Sequence, residues 1–362
     1  MNYGSTITQI LSYFLKTPPY IILFLSDSCW LNCAHCWYNE KWKDQNITEP
    51  ILSFDELIKV AEHIKHIHFL SFAGGEAFKR PDFVSIVKMF IENVRIGRFD
   101  IPTSGFMTDL IVEKVEELLR FDSRIPFRVN VSLDGLRNTH NSIRNSEMAF
   151  DNAISTITQL YKLAQKHSQF DVGIISTISS FNHNEFEELS EIIRKVLPTG
   201  EWMINITRGE TSDHAAGDVS LDSYLNAGNI IDKWIESRSF SGHKGHKTAK
   251  WLSAKNATRR IMITDIIKGT YSGGYCAAGT LAGVIQADGS VGACEMQNQS
   301  FGNLRDSEYD LKQIWNNRKA HWIRNEISRS KCQCTHECFL SVSLLLQPRY
   351  WPELIRQRSR LR

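Results

Sequence analysis

Apolar positions along the chain change their period repeatedly. Short apolar runs at 20–25, 68–72, 100–102, 127–133, 171–178 and 202–206 have the length and the β-branched and aromatic content of buried strands. Between them, 54–64, 81–94, 109–119, 149–167 and 184–196 space their apolar residues three and four apart, as amphipathic helices do. Ser53 stands where an N-cap is needed and Pro81 where a helix opens. Nearer the start, Ile7, Ile10, Leu11, Phe14 and Leu15 predict a helix over 5–15 packed on a core edge, ended by Pro18-Pro19. Strand and helix alternate at roughly 30 residues, the period of βαβ crossovers, which predicts an α/β fold with a parallel sheet.

The pattern changes after residue 210. Residues 211–270 are richer in small and polar residues, with stretches at 221–236 and 249–267 compatible with helices. Val284–Gln286 and Ser290–Ala293 flank Ala287-Asp288-Gly289, a hairpin signal, and a helix is expected over 311–323. The last segment, 348–362, mixes Trp351, Leu354 and Ile355 with five arginines. A basic amphipathic helix can lie on an anionic membrane or bind an acidic partner; a solvated helix face at the chain end is preferred here, as termini are often loosely ordered.

The unusual polar residues fall at the carboxyl ends of the expected strands. They are Cys29-x3-Cys33-x2-Cys36, Gly74-Gly75-Glu76, Thr103-Ser104-Gly105, Ser132-Leu133-Asp134-Gly135, Ser176-Thr177-Ile178-Ser179 and Thr207-Arg208-Gly209-Glu210. In parallel α/β sheets and barrels this is where sites are built. Six groups on one face imply a single site.

Composition narrows the class. A hydrophobic content of 42% suits a sizeable core, and a net charge of +2 argues against a nucleic-acid partner. The N-terminus has no basic region ahead of an apolar one, and 21–25 is too short to cross a bilayer, so a cytoplasmic location is expected. The eight cysteines are clustered: 29, 33 and 36, then 276 and 294, then 332, 334 and 338. Such clusters in a chain of 362 residues read as metal sites rather than a disulfide framework. Three thiolates cannot complete the ligand set of a [4Fe–4S] cluster, so one iron would stay open to a small molecule. Zinc is the alternative.

In combination, the three-cysteine loop, Gly74-Gly75-Glu76, Ser132-Leu133-Asp134-Gly135 and the stretch 137–144 resemble the radical S-adenosylmethionine (SAM) enzymes over about residues 20–210. Cys276-x12-Gly289-x4-Cys294 and Cys334-x3-Cys338 resemble the SPASM or shorter twitch extension of one subgroup. The resemblance implies a partial (β/α)6 TIM-type barrel followed by a small cysteine-rich SPASM/twitch domain. The units are an N-terminal helical extension (1–19), the barrel (20–210), a helical crossover (211–270), the auxiliary domain (271–342) and a basic tail (343–362).

It also implies roles. Cys29, Cys33 and Cys36 would hold a [4Fe–4S] cluster whose open iron binds SAM, with reductive cleavage yielding a 5′-deoxyadenosyl radical. Gly74 and Gly75 would admit the methionyl group, and Glu76 would accept its ammonium. Ser132 and Asp134 would meet the ribose, and His35 the adenine. A full SPASM domain uses seven cysteines for two clusters; five here imply one auxiliary [4Fe–4S] cluster, held by Cys276, Cys294, Cys338 and one of Cys332 or Cys334. The non-ligating member of that pair is a candidate hydrogen donor, and zinc on Cys332, Cys334, Cys338 and His336 is the alternative. Arg208 either binds a substrate anion or closes the barrel edge. Asp288 and Glu295 are bases or merely polar hairpin residues.

No catalytic residue is assigned. The expected substrate is a peptide or protein side chain, with a low-potential flavodoxin- or ferredoxin-type electron donor. The alternatives are oxidation or epimerisation of a small sugar-type alcohol and, from another class, a non-catalytic metal-binding scaffold.

Overall fold

The computed structural model describes residues 17–38, 50–121, 125–236, 249–271 and 274–361. The helix expected over 5–15 lies outside them. Six strands alternate with helices as the pattern predicts: β1 (Tyr20–Phe24), β2 (His66–Ala73), β3 (Arg95–Thr103), β4 (Phe127–Ser132), β5 (Phe170–Ile178) and β6 (Glu201–Ile206). The intervening helices are α1 (Phe54–Glu62), α2 (Phe83–Asn93), α3 (Thr108–Arg120), α4 (Arg137–Arg144), α5 (Ala149–Lys166) and α6 (Phe186–Val196). Ser53 caps α1 with a full capping box: its Oγ accepts from the Glu56 N–H at 3.2 Å, and Glu56 Oε2 accepts from the Ser53 N–H at 2.8 Å.

The six strands are parallel in consecutive order, the partial barrel expected from the sequence. Helices cover the outer face, where Phe72 meets Phe83, Phe90 and Phe99 edge-on. Each fully buried ring contributes about 2 kcal/mol.

Two local readings change. β3 begins five residues earlier than expected, at Arg95, because Gly97, which looks like a breaker, lies too close to the His68 carbonyl for any Cβ. The stretch 137–144, which resembles the loop that radical SAM enzymes carry between the fourth strand and its helix, is the short helix α4, which buries His140, Ile143 and Arg144.

The amino ends of the barrel strands are closed by charge. Arg128 donates to Asp171 Oδ2 from Nη2 at 2.6 Å and to Glu201 Oε2 from Nη1 at 2.7 Å, and all three are buried. Helices α7 (Leu221–Glu236) and α8 (Ala249–Ile267) follow β6, and Asn256 of α8 completes Glu201 by donating to Oε1.

The cysteine-rich unit is joined to the barrel through the sheet. β7 (Ala282–Ile285) pairs parallel with β1, and the antiparallel β8 (Ser290–Gly292) and β9 (Ser300–Asn303) extend the sheet to nine strands, ordered β6-β5-β4-β3-β2-β1-β7-β8-β9. The helix expected over 311–323 is two, α9 (Leu311–Trp315) and α10 (Arg318–Arg329), because Asn317 accepts from the Ala320 N–H at 2.7 Å and caps a new helix. α11 (Glu337–Ser343) and α12 (Trp351–Arg360) complete the chain. No described helix is long and apolar enough to cross a membrane.

Candidate active site

The cysteine loop leaves the carboxyl end of β1 and is fastened from two sides. The Ala34 N–H donates to the Ile143 carbonyl of α4 at 2.8 Å. From the segment after β6, the Asp213 N–H donates to the Ala34 carbonyl at 2.8 Å and the Ser212 N–H to the Cys36 carbonyl at 3.2 Å. Cys29, Cys33 and Cys36 then line one cavity of about 280 Å³. Around it stand residues from the ends of the other strands, including Gly74, Gly75, Ser104, Ser132, Thr177 and Arg208. Burial pushes the Cys29 thiol up to about 11 and raises Cys33 as well. A thiolate in such surroundings calls for a bound cation.

Gly74 and Gly75 have a role in packing the protein itself. A Cβ on Gly74 (φ +135°) would sit 2.5 Å from the Ser26 carbonyl oxygen, and one on Gly75 would sit 2.4 Å from that of Ser28. The absence of side chains lets the turn after β2 run against the start of the cysteine loop. There the Gly75 N–H donates to Ser26 at 2.9 Å and the Glu76 N–H to Ser28 at 3.0 Å. Both glycines also line the cavity.

Glu76 is buried and held by one oxygen only. Its Oε2 accepts from Ser104 N–H (2.9 Å), Ser104 Oγ (2.7 Å) and Thr103 Oγ1 (3.1 Å). Its Oε1 has no hydrogen-bond partner of good geometry, and the Phe78 N–H, close to the carboxylate, acts to lower its pKa. Burial raises the carboxyl above its ordinary range, and the Ser104 and Thr103 hydrogen bonds offset part of that. A buried carboxylate with one oxygen unpartnered is suited to a cationic ligand group.

Asp134, expected at a ribose, is committed elsewhere. Its side chain is fully buried and does not line the cavity. Oδ2 accepts from Arg144 Nε at 2.7 Å and Nη2 at 2.6 Å, and Oδ1 accepts from the Thr177 N–H at 2.9 Å. Burial alone would raise this carboxyl, but Arg144 overrides it and holds the group at about 2. Arg144 in turn lines the cavity and points Nη1 at Cys33 Sγ, 3.5 Å away. Burial works against its charge, yet Asp134 and Cys33 hold it above the ordinary range.

Arg144 is the cavity cation that motif reading passed over. Its partner lies ten positions back and meets it only because α4 folds there. Ser132 lines the cavity as expected. His35 also lines it, with Nδ1 buried and unpartnered, and burial lowers the ring to about 4, so it is neutral.

The second cysteine group lies across the β7–β8 hairpin. Cys276 and Cys332 share a hydrogen bond, Cys294 is near Cys332 and Cys334, and Cys338 sits in α11. Glu295, beside Cys294, lines the same cavity as the first group and pairs with the buried His336. Among the described residues, no three cysteine sulfurs lie within 4.8 Å of one another. Four ligands on one zinc at a Zn–S distance of about 2.3 Å would stand roughly 4 Å apart. Ligands carried by separate irons of a cluster stand wider, as these cysteines do; among the described residues the ligand atoms that come within 4.8 Å of one another are those of Glu295, His336 and Cys338.

The remaining polar candidates separate. Arg208 is paired with Glu337 of α11 through Nη1 at 2.5 Å, and Glu337 also accepts the Ile206 N–H at 2.9 Å. Arg208 therefore ties the auxiliary unit to the barrel edge while still lining the cavity. Glu210 is exposed. Asp288 serves its own turn, accepting from Ser290 N–H at 2.9 Å and Oγ at 3.0 Å.

Comparison with known proteins agrees with this geometry. A family model described as the radical SAM superfamily matches residues 23–196, and one described as an iron–sulfur cluster-binding domain, SPASM, matches 276–339. The chain is similar to the sporulation killing factor maturation protein SkfB of Bacillus subtilis (strain 168), with 21% identity over 327 residues, covering 88% of this chain and 69% of SkfB. It is also similar to Fe-coproporphyrin III synthase of Methanosarcina barkeri (strain Fusaro / DSM 804), with 22% identity over 338 residues, covering 87% and 79%. Among solved structures, Streptococcus suis SuiB bound to its precursor peptide SuiA shares the fold at a TM-score of 0.61 and 14% identity, covering 89% of this chain and 70% of SuiB.

Proposed function

We propose that this chain, a member of the radical SAM superfamily with a C-terminal SPASM domain, is a maturase-type enzyme that abstracts hydrogen from a peptide or protein side chain. One observation carries the reading of the site: three cysteines line one cavity with Gly74, Gly75, Thr103 and Ser104, and the half-satisfied carboxylate of Glu76 is bonded to Thr103 and Ser104 directly behind that wall. A [4Fe–4S] cluster and SAM, when bound, supply the reductive cleavage that yields a 5′-deoxyadenosyl radical.

The chain's own residues have distinct tasks in this reading. Cys29, Cys33 and Cys36 hold three irons and leave one open. Glu76 Oε1 accepts the SAM ammonium, and Arg144, fixed by Asp134, meets its carboxylate. Ser132 and His35 serve the ribose and adenine ends. The 212–213 segment, bonded to the cysteine loop, holds that loop in place. Cys276, Cys294, Cys338 and one of Cys332 or Cys334 hold one auxiliary [4Fe–4S] cluster, an acceptor for the electron left after hydrogen abstraction. The electron donor is of low-potential flavodoxin or ferredoxin type, and the reading fits a cytoplasmic, reducing compartment.

The similarity to SkfB and to peptide-bound SuiB supports a peptide substrate. The similarity to Fe-coproporphyrin III synthase, at an identity like that of SkfB, favours a second reading, a small-molecule substrate. The test is anaerobic incubation of reconstituted enzyme, SAM and a low-potential reductant with any short peptide encoded beside its gene. The peptide reading expects a change in that peptide's mass together with 5′-deoxyadenosine. An unchanged peptide, with 5′-deoxyadenosine formed, favours the small-molecule reading.

A further inference from the structure

The chain's last helix presents Trp351 and Ile355 outward and half-buries Leu354. α12 is fastened to the body: Arg360 pairs with Glu236 of α7, and the Tyr350 hydroxyl donates to Asp265 Oδ2 of α8 at 2.9 Å. An amphipathic helix docked this way normally turns its apolar side inward. Here the most deeply buried residue is Gln357, while Trp351 is 49% exposed and Ile355 59%. The stripe continues beyond the helix. Leu345, 48% exposed, accepts the Trp351 Nε1–H on its carbonyl at 3.1 Å, and Trp251 of α8, 40% exposed, lies under the Arg358 guanidinium at 4.8 Å. Between Leu345 and Leu361 there are four arginines and one glutamate, Glu353, which Arg356 neutralises at 2.6 Å.

We propose that Leu345, Trp351, Ile355 and Trp251 form a seat for an anionic lipid surface. Two tryptophans, an isoleucine and a leucine supply side chains that prefer the headgroup–acyl boundary. Arg358, stacked over Trp251, supplies attraction to lipid phosphates, while Arg356 balances Glu353. A solvated tail end, the simplest reading of the sequence, does not explain why a helix held in place keeps its tryptophan and isoleucine outside. Charge complementarity argues against a second copy of this chain, since an isologous contact through this face would bring arginines against arginines. The outer side of a helix is convex, whereas a bound peptide segment would sit in a groove.

The test uses the anaerobically prepared holoenzyme and sedimentation with vesicles of phosphatidylglycerol or of phosphatidylcholine. Pelleting with the anionic vesicles only, reversed by high salt, is expected. The W351S/I355S variant loses about tenfold in bound fraction, with iron content unchanged, whereas Trp322→Ser, at an exposed tryptophan on α10, has no effect. Absence of pelleting on phosphatidylglycerol, or pelleting indifferent to the double variant, overturns the proposal. Self-association of the wild type that the double variant abolishes overturns it too, by assigning the face to a second copy.

Discussion

Both ends of the barrel strands bury charge, and they do so in opposite ways. At the amino ends, Asp171 and Glu201 have both oxygens engaged: by Arg128 and the Val172 N–H for the first, by Arg128 and Asn256 for the second. At the carboxyl ends, Glu76 uses one oxygen and leaves the other facing no good donor. A completed network serves to close and stabilise a barrel end. An incomplete one costs stability and persists where a ligand completes it. The contrast is between Glu76 and the Arg128 pair of carboxylates; Asp134, also at the carboxyl ends, is completed by Arg144 and the Thr177 N–H.

Substitutions break the contrast to different degrees. The largest effect belongs to Cys33→Ala, which removes a cluster ligand: SAM cleavage, followed as 5′-deoxyadenosine, falls to background while the auxiliary cluster's spectrum remains. Next is Arg128→Ala at the plugged end. Leaving two carboxylates buried without their cation costs about 3–5 kcal/mol. A large fall in unfolding temperature is expected, with activity per folded molecule unchanged.

Lys255, in α8, tests the same end through pH. Burial lowers it from its ordinary range to about 7. The unfolded chain therefore binds more protons than the folded one between about pH 7 and 10, and folding becomes more favourable as pH rises through that window. Lys255→Met is expected to add on the order of 3 kcal/mol near pH 7.5, a gain that shrinks toward pH 10 in denaturant titrations.

Smallest is Glu76→Gln. Removing the charge opposite a ligand ammonium weakens SAM binding by about 10- to 100-fold by calorimetry. The fold is kept or slightly stabilised, because a buried charge is removed. An equal loss of folding stability would make Glu76 a structural residue and dissolve the comparison.

The contrast also shows what a sequence displays. The carboxyl-end groups were legible because cysteines and a glycine pair in a short span are rare and carry chemistry in their spacing. The strands were legible by period, except where Gly97 interrupts β3. The plug was not legible, since Arg128, Asp171 and Glu201 look like ordinary polar strand positions until the sheet brings residues 43 and 73 apart together. Asp134 illustrates the same limit: its motif marks a strand end but does not reveal that Arg144 pairs with it. The attachment of β7 to β1 and the Glu337 link to Arg208 also depend on tertiary closure that no local pattern encodes.

The claim that the carboxyl-end cavity is a SAM-cleaving centre meets its most direct test in one assay: 5′-deoxyadenosine formed from SAM by the anaerobically reconstituted protein under a low-potential reductant. Product that depends on Cys29, Cys33 and Cys36 is predicted. A protein loaded with about eight irons that yields none, and behaves no differently after Cys33→Ala, would contradict it.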